Sequence, residues 1–341
     1  MKIDFFVDRS IEELININVE QLPYTFLRSY KSFVKKNYGF EIVIAIVIEK
    51  GIFVALSLHK TKFVTNAQLL SEPFTNNVPL NINEQDQFFN ELMKSMSERK
   101  IADRIIAPQN FVVLGGIPTG SAFCKFGSYV LDLKQPIDVI YGNIHAKHRN
   151  KISKAERAGV IIKEGKGELH VFYKLYFETM KRSGMYCESY DFFNSMYASL
   201  SEKNCFCSVV YHNNIPQGAI LAPYTKYCCY YIYGASAESI SESGAINYLH
   251  WSTIKTMKER EVSRYDFVGA RLSDVSKSKL EGIQSFKERF GGELKKGYLF
   301  KMDLSHLKCK VHDSLVLISN KIKGRDTFKD IIDQEIEKSR S

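Results

Sequence analysis

A lysine and an arginine stand between two aromatic residues in Phe286-Lys287-Glu288-Arg289-Phe290-Gly291-Gly292, and a glycine pair closes the segment. Upstream lies Arg264-Tyr265-Asp266-Phe267-Val268-Gly269, which reads as a short buried strand ending in an acid and a glycine. A cation fixed beside an oxygen that gains negative charge stabilises it most in a dry site. Lys287, between aromatics, is the candidate for that role. The plainer reading is a surface lysine on an amphipathic turn. Asp266 likewise has two readings: it positions a substrate or a lysine, or it caps the loop after its strand. Arg289 either meets a phosphate or covers Phe290 with its stem.

Composition bounds the rest. The chain has 341 residues, 45% hydrophobic and 25% charged, which is globular and long enough for two domains. Its net charge is +9. Between His145 and Lys166 lie seven bases (Lys147, Arg149, Lys151, Lys154, Arg157, Lys163, Lys166) against Glu156 and Glu164, so this stretch carries +5 of the +9. It is either a solvated helix face or a ridge that meets phosphates. The seven cysteines include no C-x-x-C pair. Their apolar settings suggest buried free thiols, a reducing compartment and no metal site. No signal peptide and no run of about 20 apolar residues is evident, so a cytoplasmic location is expected. There is no G-x-G-x-x-G loop, no P-loop and no G-x-S-x-G elbow.

The elements that must position these residues follow from periodicity. Helices are expected at 11–22 and 23–37, with Leu14, Ile15, Val19 and Leu22 on one stripe. Strands are expected at Glu41–Lys50 and Ile52–His59, a helix near Glu84–Glu98, and strands at Ile101–Ala107 and Ser128–Leu133. A basic helix spans Pro136–Ala158 with a break near Gly142. Next come the strand Val160–Lys163, helices at Glu168–Ser183 and Asp191–Glu202, and strands at Cys205–Tyr211, Gln217–Tyr224 and Tyr227–Ala235. The chain closes with a helix at Ala245–Arg260, the strand Ser263–Val268, a helix at Lys279–Arg289, the strand Glu293–Met302, and helices at His306–Lys321 and Thr327–Lys338. The fold class is α+β, with mixed, mostly antiparallel sheets flanked by helices.

Four segments together resemble the Fem family of acyltransferases, relatives of the GNAT acetyltransferases. His148-Arg149-Asn150-Lys151-Ile152-Ser153-Lys154-Ala155 is similar to the family's entry to its second domain. Tyr231-Ile232-Tyr233-Gly234-Ala235-Ser236 resembles its Y-x-x-G-A-S strand end. Asp266 to Gly269 and Phe286 to Gly292 resemble its D-F-x-G and F-K-x-x-F-G segments. The similarity covers most of residues 140–302. It implies tandem GNAT-like domains, at 1–137 and 138–304, with the segment 305–341 packing on the first.

The resemblance implies an amide-forming transfer from aminoacyl-tRNA to an amine of a cell-envelope precursor, with no separate cofactor. On this resemblance the acceptor is a peptidoglycan stem or a surface-polysaccharide amino sugar, free or lipid-linked, met at the membrane face. Lys287, Tyr233 and Asp266 become the catalytic candidates. Tyr233 either hydrogen-bonds the donor or moves a proton, or it is simply core. Lys147, Arg149, Lys151, Lys154, Phe286 and Arg289 are expected at the donor, and Lys35, Lys36 and Glu188 at the acceptor. CoA users carry a glycine-rich, basic turn before a helix. Here that turn is Ser241-Glu242-Ser243-Gly244-Ala245-Ile246, and Glu242 would repel phosphate. Two departures alter the acceptor reading: Glu188 stands where the family places a diphosphate-binding arginine, and Ala107-Pro108 replaces a strand-end acid. An acyl-CoA or acyl-carrier-protein N-acyltransferase of a polysaccharide amine, and a non-catalytic RNA or polyanion binder, are the alternatives. Lys287→Ala is expected to abolish turnover and leave the fold intact.

Overall fold

The computed structural model describes residues 1–276, 278–323 and 329–340. The first strands are β1 (Asp4–Val7), β2 (Glu41–Val47), β3 (Ile52–Lys60) and β4 (Thr65–Leu69), with α1 (Arg28–Tyr38) after β1. The short β5 (Phe74–Thr75) and β6 (Val78–Pro79) precede α2 (Ile82–Glu98), β7 (Arg104–Ile106) and β8 (Ala122–Asp132). Next come α3 (Ile137–Asn143), α4 (Ala146–Arg157), β9 (Ile161–Glu164), α5 (Leu169–Ser183) and α6 (Tyr190–Asn204). They lead into β10 (Cys205–His212), β11 (Ile215–Pro223), β12 (Cys229–Tyr230) and β13 (Tyr233–Ser236). The remaining elements are α7 (Ala245–Glu259), β14 (Arg264–Asp266), β15 (Ala270–Arg271), α8 (Lys279–Glu288), β16 (Glu293–Asp303), α9 (His306–Ile322) and α10 (Ile331–Arg340).

Most elements stand where periodicity puts them, in an α+β fold. The stretch 11–22 does not. Its helical stripe resolves into short 3₁₀ turns at Ile11–Glu13 and Val19–Gln21. Asn18 caps the second turn instead of continuing a helix, and Pro23 follows. A third turn, Tyr24–Phe26, precedes α1, which begins only at Arg28. Thr327 and its neighbours fall outside the described residues, and the last helix begins at Ile331. Strands β1 and β4 were not expected. β1 is four residues long, and β4 is a polar-alternating run whose parallel partner β7 lies far along the chain.

The larger sheet runs β1-β2-β3-β4-β7-β16-β8-β14-β12, and the smaller β13-β11-β10-β9. Long β8 and β16 pair antiparallel from Ala122↔Lys301 to Val130↔Glu293 and form the centre of the larger sheet. Alternation along β10 shares its side chains between two cores. Cys205, Cys207 and Val209 join a core that runs from the first strands to α5 and α6, while Phe206 and Val210 face α4 and α7. One continuous apolar core thus ties the N-terminal sheet to the α5–α6 side of the smaller sheet.

The strand Cys229–Ser236 sets the geometry of the site. It begins beside β14, in parallel, at Cys229↔Tyr265 and Tyr230↔Asp266. It ends beside β11, antiparallel, from Leu221↔Tyr233 to Gly218↔Ser236. The last bond to β14 runs from the Tyr231 amide to the Asp266 carbonyl, 2.9 Å. Beyond it the two strands part and leave a wedge between residues 231–233 and 267–269.

Close backbone approaches hold this arrangement. Gly291 has φ +79°, and a Cβ there would stand 2.4 Å from the Asn143 carbonyl oxygen. That contact is with backbone and cannot yield cheaply, so only glycine fits. Gly291→Ala is expected to destabilise the chain by about 1–3 kcal/mol, read as a lower denaturation midpoint at unchanged m-value. A midpoint equal to wild type would contradict this packing.

Candidate acyl-transfer site

The four sequence motifs meet around one buried histidine. His250, on α7, is fully buried. Its ring centroid lies 4.5 Å from that of Tyr231, 5.4 Å from Phe267, 5.3 Å from Phe286 and 5.3 Å from Phe290. Nδ1 is 3.0 Å from the Tyr265 hydroxyl, while buried Nε2 has no protein partner. Burial pushes its pKa down to about 3, so the ring is neutral. His148 of α4 is neutral for the same reason, at about 4, and its Nε2 lies 3.1 Å from the Phe286 carbonyl oxygen. The His145 amide donates to the Arg289 carbonyl at 2.8 Å. The start of α4 and the F-K-x-x-F-G segment are therefore one assembly. The glycine of Y-x-x-G has its reason too: a Cβ at Gly234 would stand 1.9 Å from the Tyr231 hydroxyl oxygen.

Lys287 is the charge beside this apolar group. It is buried, and Nζ donates to the Val268 carbonyl and, at 2.9 Å, to the Gly269 carbonyl. Both carbonyl residues have left-handed backbone, φ +42° at Val268 and +67° at Gly269. A β-branched residue rarely adopts that region, and such strain gathers at functional sites. Burial lowers the Lys287 pKa to about 8, and Asp266 opposes the shift. An ammonium has three donors, and these carbonyls take two.

Asp266 caps the turn after its strand. Its Oδ1 accepts from the Ser128 hydroxyl and from the Val268 amide, the latter at 2.8 Å. It holds the turn that aims the Val268 carbonyl at Lys287. Burial raises its pKa, against the hydrogen bond from Ser128. Tyr233 stands apart from Lys287, in a cluster with Tyr176, Phe192 and Phe193, the last at 5.0 Å between centroids. Burial, then Tyr38 and Tyr30, push its hydroxyl well above the ordinary tyrosine value. It can donate a hydrogen bond near neutral pH but not act as a base.

The expected donor residues divide. Lys147, Lys151, Lys154 and Arg289 are exposed. Arg149 turns inward and donates to the Gly142 carbonyl at 2.8 Å and to the Ile144 carbonyl, so it fastens the α3–α4 junction. Phe286 is half-buried against His148 and Phe290. At the start of α7, Glu242 is buried and accepts the Gly244 amide at 3.0 Å, with Lys154 at 3.5 Å. A Cβ at Gly244 would stand 2.2 Å from the Lys151 carbonyl oxygen, so α4 packs directly on this turn. A protein carboxylate already occupies the helix N-terminus where an anion would bind.

The structure places Lys35 and Lys36 on α1 and Glu188 just before α6. Lys35 pairs with Asp8 at 2.5 Å. Phe33 and Asn37 of α1 face α6 instead, through Phe192 and Ser195. At 100° per residue Lys35 points away from that contact. Lys36 is exposed. Glu188 meets Tyr38 (3.3 Å) and Tyr186 (3.5 Å), not a lysine.

A different space adjoins the wedge: a cavity of about 590 Å³ lined by Ile232, Val268, Ala107, Asn110, Gln68 and the α10 residue Gln334, among others. Gln68 donates to the Ala107 carbonyl at 2.8 Å. The one carboxylate in that lining, Asp330, is paired with Lys301 at 2.8 Å.

A parallel strand pair that opens, with a helix packed behind it, is the arrangement of the GNAT fold. Residues 142–280 match the family model described as an acetyltransferase (GNAT) domain. The chain as a whole has the fold of FemX: the solved FemX structure shares 15% identity at a TM-score of 0.69, over 91% of this chain and 99% of that one. It is also similar to the C-terminal domain of a putative lysylphosphatidylglycerol synthetase from Agrobacterium fabrum, at 13% identity and TM-score 0.50, over 80% of this chain and 88% of that one. No curated protein matches the sequence. The Fem-type, GNAT-like resemblance carried by the four motifs holds at the level of fold.

Sequence reasoning missed His250 and the two carbonyls. The one available signal was a histidine on the buried stripe of α7, with Asn247, Ile254 and Met257. Lys287 also differs from a freely replaceable side chain, because removing it orphans buried carbonyls and costs about 1–3 kcal/mol besides any activity. Its titration offers a test. The folded chain loses this proton near pH 8 and an ordinary lysine near 10.5, so between those values the unfolded chain binds more protons. Stability contributed at this site therefore rises with pH across that window. The thermal midpoint of wild type should gain on that of Lys287→Met between about pH 8 and pH 10.5. Parallel midpoint curves would contradict a buried, depressed Lys287.

Proposed function

We propose that the protein transfers an aminoacyl group from aminoacyl-tRNA to an amine of a cell-envelope precursor. The amine nitrogen attacks the ester carbonyl carbon and a C–N bond forms. The C–O bond to the tRNA ribose breaks, and the amine proton leaves with the ribose oxygen. Negative charge gathers on the carbonyl oxygen on the way, and the third N–H of Lys287 is the group to meet it in the wedge. Neutral His148 and His250 leave that cation unopposed by a second positive charge.

Glu242 carries the choice of donor. Its carboxylate sits on the Gly244 amide at the start of α7, where a CoA pyrophosphate would need that amide. The exposed lysines of α4 beside it suit a longer phosphate backbone lying across the surface. On this reading the acyl group comes in with the donor, no further cofactor is needed, and the acceptor amine arrives through the cavity at Ile232 and Val268. With Ala107 in place of an acid and Asp330 paired, the amine arrives neutral or loses its proton to water. A cytoplasmic setting, with the precursor presented at the membrane face, fits the proposed donor.

Binding to charged tRNA and to acetyl-CoA, measured side by side at one stated salt concentration, tests this. Charged tRNA should bind with steep salt dependence and acetyl-CoA should not bind. Lys147→Glu with Lys151→Glu should weaken the tRNA complex at least about tenfold and flatten its salt slope. CoA binding without tRNA binding would overturn the donor assignment.

A further inference from the structure

Helix α9 turns a bare apolar stripe outward. Leu307, Val311, Leu315, Ile318 and Ile322 fall within about 80° of one another at 100° per residue. Their exposures run from 44% at Leu315 to 79% at Ile322, far above what a core-facing stripe would show. The first half of the helix is nevertheless docked by its other face, while farther along Val316 and Leu317 are exposed as well. Buried Cys309 reaches the Asp103 carbonyl at 3.2 Å, and Asp313 pairs with Arg104 at 2.6 Å. Among the described residues the stripe is therefore a second, uncovered face and not a helix without a home.

Charge decides what fills it. Lys310 and Lys321 flank the stripe on one side, Lys308 and Lys323 on the other, and all are exposed. Lys308 also reaches Asp103, at 2.7 Å. The carboxylate of α9, Asp313, lies on the docked face and is held by Arg104. The outward half thus offers apolar surface and lysines with no acid. A second copy laid stripe against stripe would set lysines against lysines, on a chain already at +9. An anionic bilayer meets both features at once. Its acyl region takes the stripe, and its headgroups take the lysines, whose stems lie along the boundary. Among the described residues no helix is long and apolar enough to cross a membrane, so this helix lies in the interface plane.

We propose that α9 docks the chain on an anionic lipid surface through Leu307, Val311, Leu315, Ile318 and Ile322. The proposal stands on this surface alone and is independent of the acyl-transfer reading. Co-sedimentation of the full chain with phosphatidylcholine vesicles, with and without phosphatidylglycerol, tests it. The chain should pellet with the phosphatidylglycerol vesicles and stay in solution with the others. Leu315→Glu with Ile318→Glu should weaken binding at least about tenfold at an unchanged thermal midpoint. Lys310→Glu with Lys321→Glu should weaken it and reduce its salt dependence. Equal behaviour with both vesicle types, or full binding by the Leu315/Ile318 variant, would overturn the proposal. A wild-type dimer that this variant splits would also overturn it, by assigning the stripe to a second copy.

Discussion

A buried ammonium must have acceptors, and much of the site follows from how Lys287 finds them. Taking an ammonium out of water is costly unless its donors are met. The acceptors here are two consecutive carbonyls, at Val268 and Gly269, turned inward by left-handed backbone. Asp266 fixes that turn through the Val268 amide. Because the turn leaves β14 at Asp266, β14 ends there and the wedge opens just beyond its last bond to Tyr231. One desolvated charge thus links a strained turn, a strand end and a space for substrate.

The aromatic side of the wedge serves the same constraint. Phe267 and Phe290 are fully buried, and His250 packs against both without charge. Such a group excludes water, and electrostatic interactions inside it are stronger than at the surface. The cost appears in the lowered pKa of Lys287 and in the unpartnered Nε2 of His250. Neither favours stability. Features that cost stability and are still built in gather at functional sites, which fits the role proposed for this group.

Much of this was legible in the sequence because the motifs are local. Their glycines answer to local constraints: Gly234 and Gly291 to a close approach by the Tyr231 hydroxyl and the Asn143 carbonyl, Gly269 to a positive φ. Lys287 stood out for its aromatic neighbours, and Glu242 for its charge at a helix entry. What was not legible depends on distant elements. The partner of Lys35 is one such case: α1 packs on α6 and turns Lys35 toward Asp8. Glu188 reaches Tyr38, a pairing of residues far apart in the chain. The stretch 11–22 carries a helical stripe, but Asn18 and Pro23 break it into 3₁₀ turns. His250 is an ordinary helix residue until four segments close around it.

On the proposed function the acyl group sits in the wedge between residues 231–233 and 267–269, beside Lys287. The most direct measurement is photo-crosslinking with a 3′-aminoacyl-adenosine analogue whose acyl group carries the photoreactive centre, followed by mass-spectrometric mapping of the label. The account predicts attachment to Ile232, Val268, Gly269 or Phe286, competed away by charged tRNA. Label confined to the surface around Lys35 and Glu188, or spread over the exposed lysines of α4 with none in the wedge, would contradict it.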